Sequence, residues 1–353
     1  MRTGRVMSIN AIDLFCGAGG LTHGLLRSGI KVSAGFDIDE ACEWPYQANN
    51  GARYIRADIS EVSGNDLARL WPKRGIRLLA GCAPCQPFST YRQGGDAKAD
   101  KKWRLLYEFG RLVADTKPEL VTMENVPQLA KHKVFSDFRK LLERAGYHTW
   151  AEVVNCPDYG LAQKRQRLVL LASQLGPISL RPPTHSPDTY ITVRDAIGHL
   201  PALKAGSAHP DDPLHCASGL SQLNLKRIKQ SKPGGTWRDW DPDLVAKCHL
   251  KESGSTYAGV YGRMSWDAPA PTMTTLCYGY GNGRFGHPSQ HRAISLREAA
   301  IFQSFPESYQ FAPDEDSINF RTIGRMIGNA VPVRLGEVIG ETLVAHTKQY
   351  KNI

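Results

Sequence analysis

Apolar and polar positions along the chain fall into two regimes. Up to about residue 180, short apolar runs alternate with stretches of helical spacing. "INAIDLF" (Ile9–Phe15) is an almost unbroken apolar run and predicts a buried strand. "CGAGG" (Cys16–Gly20) follows as a turn, and "LTHGLLRSG" sets Leu21, Leu25 and Leu26 at helical spacing before a stop at Gly29. Further strands are predicted over Lys31–Asp39, Arg77–Pro84, Glu119–Val126 and Gln163–Ser173, with helices over Leu105–Pro118 and Val134–Gly146. Strands alternating with helices mean βαβ units and an α/β domain with a mostly parallel sheet. Beyond residue 180, Pro, Gly, Ser and His become frequent and the periodicity fades. Arg181–His291 reads as a loop-rich second domain with short strands. Helical patterning resumes over Ser295–Phe305, and Ile327–Thr347 reads as one amphipathic helix after a Gly-Asn turn.

Composition narrows the class. The chain has 353 residues, 41% hydrophobic and 22% charged, as in an ordinary globular protein long enough for two domains. No run of about 18 uncharged apolar residues suits a membrane span, and the N-terminus lacks an apolar signal-peptide core, which points to a cytoplasmic protein. The net charge of +10 favours a polyanionic partner, nucleic acid first. Eight cysteines suit a reducing compartment. Only Cys82 and Cys85 are closely spaced, and no second pair of cysteines or histidines completes a zinc set, so no metal is expected.

Candidate chemistry gathers where predicted strands end. Gly17 and Gly19 lie in the first βα turn, where an open parallel sheet binds ligands, and they let the backbone approach a cofactor closely. Asp37 closes the next strand, where a carboxylate suits ribose hydroxyls. These features alone do not separate NAD from S-adenosylmethionine, although the glycine spacing departs from the dinucleotide fingerprint. "APCQPFS" follows a strand. Pro84 and Pro87 stiffen the backbone around Cys85, as for a reactive thiol, whereas Cys82 reads as a small buried hydrophobe at the strand end. Glu124 ends another strand of the same sheet, so thiol and carboxylate converge on one crevice. In "QKRQR", strand alternation would point Gln163, Arg165 and Arg167 the same way, as two guanidiniums for an anion or a polarised carbonyl.

In this order the elements resemble the DNA (cytosine-5) methyltransferase family of the bacterial modification type. "DLFCGAGG" is similar to its cofactor motif, "PCQPFS" to its nucleophile motif, "ENV" to its carboxylate motif and "QKRQR" to its Q-x-R-x-R motif. "SLREAAIFQSFP" and "GNAVP" are similar to its last two blocks. The likeness spans the chain except about 186–290, the family's variable, DNA-reading segment.

The resemblance implies a Rossmann-like sheet with helices on both faces, formed by residues 1–185 and completed by 322–353, plus a smaller loop-rich target-recognition domain over 186–321. It implies S-adenosylmethionine as cofactor, held by Phe15, Gly17, Gly19, Asp37, Ile38, Asp58 and Asn329. It implies double-stranded DNA as substrate, met by Pro84, Gln86, Ser89, Gln163 and Thr275, with a flipped-out cytosine. Cys85 would attack C6, Glu124 would stabilise the ring at N3 and the exocyclic amine, Arg165 would hold O2, and Arg167 would support the site. The loop Gln86–Arg104 carries five Lys/Arg against two Asp and reads as a lid on a phosphate backbone. The middle segment Arg181–Arg292 has 13 Lys/Arg and 9 Asp/Glu. A monomer on DNA and a cognate restriction endonuclease are also implied. Three other readings share features with this one: a tRNA cytosine-5 methyltransferase, a catalytically silent DNA-binding regulator, and a nicotinamide-dependent dehydrogenase that leaves the Cys/Glu/Arg set unexplained.

Overall fold

The computed structural model describes residues 8–84 and 99–350. Its main sheet contains β1 (Ile9–Leu14), β2 (Lys31–Asp37), β3 (Arg53–Arg56), β4 (Ile76–Gly81), β5 (Leu120–Asn125), β6 (His148–Asn155) and β7 (Gln166–Ser173). Their spatial order is β3-β2-β1-β4-β5-β7-β6. Only β7 runs against its neighbours. The central strands β1 and β5 are buried at every position, which is why they read as near-continuous apolar runs.

Alternate residues of these strands face opposite ways. Ile12, Leu14, Leu79, Val121 and Met123 share one core with Leu67, Leu106, Phe109, Leu112, Phe138 and Leu142. Those partners come from helices α3 (Gly64–Leu70), α4 (Ala99–Thr116) and α5 (Lys133–Arg144). Asp13 points to the other face, where Thr22 of α1 (Gly20–Arg27) donates to it. Helix α2 (Glu43–Asn50) follows β2. Helices thus cover both faces.

Two compact units emerge. The first comprises residues 1–155, 166–183 and 331–353, and the second 156–165 and 184–330. The second contains the short ribbon β8 (Ala208–His209) and β9 (Asp212–Cys216). It also contains α6 (Val193–Ile197), α7 (Gln222–Gln230), α8 (Glu252–Ser255), α9 (Leu296–Phe302) and α10 (Phe320–Asn329). A buried ion pair, Arg292 with Glu298 at 2.7 Å, anchors the start of α9. There Ser295 and Glu298 cap the helix reciprocally. These breaks differ from the expected ones at 185/186 and 321/322. Residues 156–165 join the second unit because Asp158 accepts from the amides of Thr184 and His185, and Lys164 donates to Ala270.

Two expectations are corrected here. The terminal segment is two helices, α10 and α11 (Val333–Gln349), because Pro332 cannot continue a helix and disfavours helical geometry at Val331. The strand expected from Gln163 begins at Gln166. Among the described residues no helix is long and apolar enough to cross a membrane.

Helix α11 packs on α1 at close range. A Cβ added at Gly24 would stand 2.5 Å from the backbone nitrogen of Glu337, against the Val333 carbonyl. Backbone cannot yield as a side-chain tip can. Gly24→Ala is expected to cost about 1–3 kcal/mol, read as a lower urea midpoint with an unchanged slope.

Candidate active site

Six parallel strands end at one edge, and the reversed β7 begins there. Two groups of side chains collect along it. The first lies across β1, β2 and β3. The chain leaves β1 through Phe15, Gly17 and Gly19, whose φ values of 59°, 51° and 91° are all left-handed. For Phe15 that conformation costs of order 1–2 kcal/mol, strain typical of a functional turn. The turn brings the Gly17 amide 2.8 Å from Asp37 Oδ2, while the Asp39 amide donates to Oδ1 at 3.0 Å. Burial raises the Asp37 pKa and these amides oppose the rise. Beside it Ile38 is 65% exposed, unusual for a large apolar side chain and suited to a flat ring. Asp58, just past β3, accepts from the Ser60 amide at 2.8 Å, which lowers its pKa.

The second group lies across β4, β5 and β7. Glu124 is 2% exposed at the end of β5. The Cys82 thiol donates to its Oε2 at 3.1 Å, and Arg167 Nε stands 2.8 Å from its Oε1. Asn125 donates to the Ala83 carbonyl at 2.9 Å, and its own Oδ1 accepts from Val126 N at 2.8 Å. The segment Gly81–Pro84 is thereby fastened to the end of β5, and Pro84 is exposed. Cys85, Gln86, Ser89 and most of the expected lid lie outside the described residues.

Gln163 and Arg165 have other partners. Gln163 donates to the Phe302 carbonyl at 2.8 Å and to Gln303 at 3.0 Å, and accepts from Met273 N at 2.7 Å. Arg165 donates to the carbonyls of Met273 at 3.0 Å and Gly328 at 3.3 Å. Both side chains are buried and brace the second unit's backbone. Gln163 and Arg165 share a direction, Arg165 Nη1 donating to Gln163 Oε1 at 3.4 Å, while β7 itself starts at Gln166. The guanidinium against Glu124 is that of Arg167. Thr275 is half-buried beside exposed Leu276, and Asn329 is exposed at the last position of α10.

Sequence reasoning missed three residues. Cys82 was read as filler and instead donates to Glu124. Asn125 fastens the loop, a role its place between Glu124 and Val126 did not reveal. Asp13 is wholly buried; Thr22 donates to Oδ2 at 2.7 Å, and Oδ1 has no hydrogen-bond partner among the described residues. Burial pushes its pKa up to about 7.

Comparison with known proteins gives one family. A model of the C-5 cytosine-specific DNA methylases matches residues 9–345. The Type II methylase M.HgiDII of Herpetosiphon aurantiacus is 53% identical over 335 residues, 94% of each chain. The Type II methyltransferase M1.HphI of Haemophilus parahaemolyticus is 31% identical over 96% of this chain and 87% of its own. A candidate DNA modification methyltransferase encoded within a prophage (E. coli) shares the fold, with a TM-score of 0.74 at 21% identity, over 97% of this chain and 100% of that one.

The Asp13 carboxyl has a testable pH signature. Its folded-state pKa of about 7 lies above the ordinary 3.8, so the folded protein holds the extra proton between those values. Its contribution is fully favourable below the lower value and is lost as pH rises through the upper one. Asp13→Asn is expected to gain stability relative to the parent as pH climbs across that window, then level off, in urea titrations at successive pH values.

Proposed function

The chain belongs to the C-5 cytosine-specific DNA methylase family and is a DNA (cytosine-5) methyltransferase, and we propose that it acts on a flipped-out cytosine with S-adenosylmethionine through a covalent bond to Cys85. The observation that carries this reading is a buried carboxylate, Glu124, held by Arg167 at the same sheet edge as the Asp37 turn.

The residues present suit the cofactor. Beyond Gly17 an added Cβ would meet nothing within 4 Å among the described residues. Asp37 is already braced to accept from ribose hydroxyls, Ile38 offers an apolar face to adenine, and Asp58 an acceptor for its amine. Phe15, Gly17, Gly19 and Asn329 would border the adenosine and methionine portions. When bound, S-adenosylmethionine supplies the methyl group that an activated C5 takes.

The chain's own residues activate C5. The Cys85 thiolate adds to C6, forming the S–C6 bond and moving the C5–C6 π pair onto C5, which becomes a nucleophile. Glu124 meets N3 and the exocyclic amine and stabilises the charge that develops there. Arg167 holds that carboxylate, and Arg165, whose guanidinium also donates to the Met273 carbonyl, would hold cytosine O2. After methylation a base removes the C5 proton, the ring pair returns, and the S–C6 bond breaks to release the thiolate. Within a duplex C5 is out of reach, so the base must leave the stack at a cost of a few kcal/mol. Pro84, Gln86, Ser89, Gln163 and Thr275 would lie along the DNA, in keeping with the net charge of +10. Residues 186–321 would read the target. The chain would act as a cytoplasmic monomer on DNA, and the Type II relatives favour a cognate restriction endonuclease.

Duplex DNA carrying 5-fluorocytosine is expected to trap a covalent adduct that Cys85→Ala abolishes; absence of adduct in the parent protein overturns the covalent route. Labelled S-adenosylmethionine offered with duplex DNA or tRNA should mark only DNA, and bisulfite sequencing of expressing cells should reveal one methylated motif. Asp37→Ala is expected to weaken S-adenosylmethionine binding about 10- to 100-fold by calorimetry, the loss of charge-assisted hydrogen bonds. Unchanged affinity would remove Asp37 from the cofactor site.

A further inference from the structure

We propose that Cys82 is a positioning residue whose thiol sets the orientation of the Glu124 carboxylate for the reaction. The inference rests on the role given to Glu124 above. An ionised carboxylate accepts only, so at 3.1 Å from Oε2 the Cys82 sulfur must be the donor. The backbone at Cys82 is fixed on both sides. The Cys82 amide donates to the Leu14 carbonyl at 3.2 Å, and the next carbonyl, Ala83, receives Asn125. Both sides of Cys82 are thus tied, one to β1 and one to β5.

Arg167 faces the opposite oxygen of Glu124, so the two contacts together select one rotation of the carboxylate plane. The Arg167 contact is close but not aligned as a hydrogen bond, and among the described residues no donor is directed at the buried Oε1. The directed contact on the carboxylate is the thiol's. A thiol is a weak donor, so it orients Oε2 without competing strongly with an amine that arrives later. A buried filler would need no acceptor, and here the sulfur meets the one carboxylate on which the chemistry depends. Cys82 and Cys85 then have separate tasks on one short segment, joined by Ala83 and the rigid Pro84.

The test compares the full-length protein with Cys82→Ala and Cys82→Ser on duplex DNA and labelled S-adenosylmethionine. The alanine variant is expected to lose about tenfold in kcat, with KM for both substrates within about twofold. Serine restores a hydroxyl donor and should return kcat to within about threefold of the parent. Both variants should still form the 5-fluorocytosine adduct to completion, because Cys85 is untouched. Equal kcat in all three proteins, or serine as slow as alanine, overturns the proposal, since a filler role predicts that a buried hydroxyl does no better than a methyl. A loss carried by KM overturns it as well. Glu124→Gln separates the two levels. If that variant keeps parental kcat, the reading of Glu124 fails; if it is inactive while Cys82→Ala is unimpaired, only the positioning role fails.

Discussion

Burying the carboxyl group of Glu124 at the end of a central strand is costly unless donors meet it, and the arrangement of this edge follows from that need. Arg167 reaches one oxygen and Cys82 the other. Each arrives because of strand direction. β4 is parallel to β5, so the residue after Gly81 emerges beside Glu124. β7 is antiparallel, so its first residues, not its last, come to the same edge, with Leu168 opposite Asn125. Were β7 parallel, Arg167 would lie at the far edge and Glu124 would keep its burial without its guanidinium. The one reversed strand is therefore a condition of the Arg167–Glu124 pair.

The Asp37 side of the edge rests on a different constraint, close approach of backbone to backbone. Asp37 can brace itself on the Gly17 amide only if the turn after β1 runs through left-handed conformations, and Phe15 accepts strain to do so. That strain persists because the helix after the turn is pinned. α1 is pressed on α11 through Gly24, so the end of the chain secures the first turn. Beneath it Asp13 is sealed from water and joined to α1 through Thr22, a polar link between strand and helix in an apolar layer.

Legibility followed burial. Strands β1 and β5 are covered on both faces and announced themselves as apolar runs. β6 went unread because it lies at the sheet margin, and "HTWAEVVN" mixes exposed His148, Glu152 and Val153 with part-buried neighbours, so neither period stands out. β3, with four residues, is too short for a period to show. The acidic and glycine positions of the site were readable because strand ends in a parallel sheet share an edge. The thiol bond to Glu124 was not, since it depends on where the Cys82 backbone is tied, and those ties come from Leu14 and Asn125, far away in sequence.

The motif Gln163–Arg167 shows what spacing leaves open. Alternation of polar residues implies three side chains on one face, and it does not name their partners. Gln163 and Arg165 meet each other at 3.4 Å. Gln163 and Arg165 answer to backbone carbonyls and amides of the second unit, which need donors and acceptors wherever loops replace strands. Arg167 lies past the point where the sheet begins and answers to a carboxylate. Both arginines meet an unsatisfied oxygen, and the guanidinium suits either because its donors form a planar fork. The two differ in partner: Arg165 meets backbone carbonyls of its own unit, and Arg167 meets a buried carboxylate.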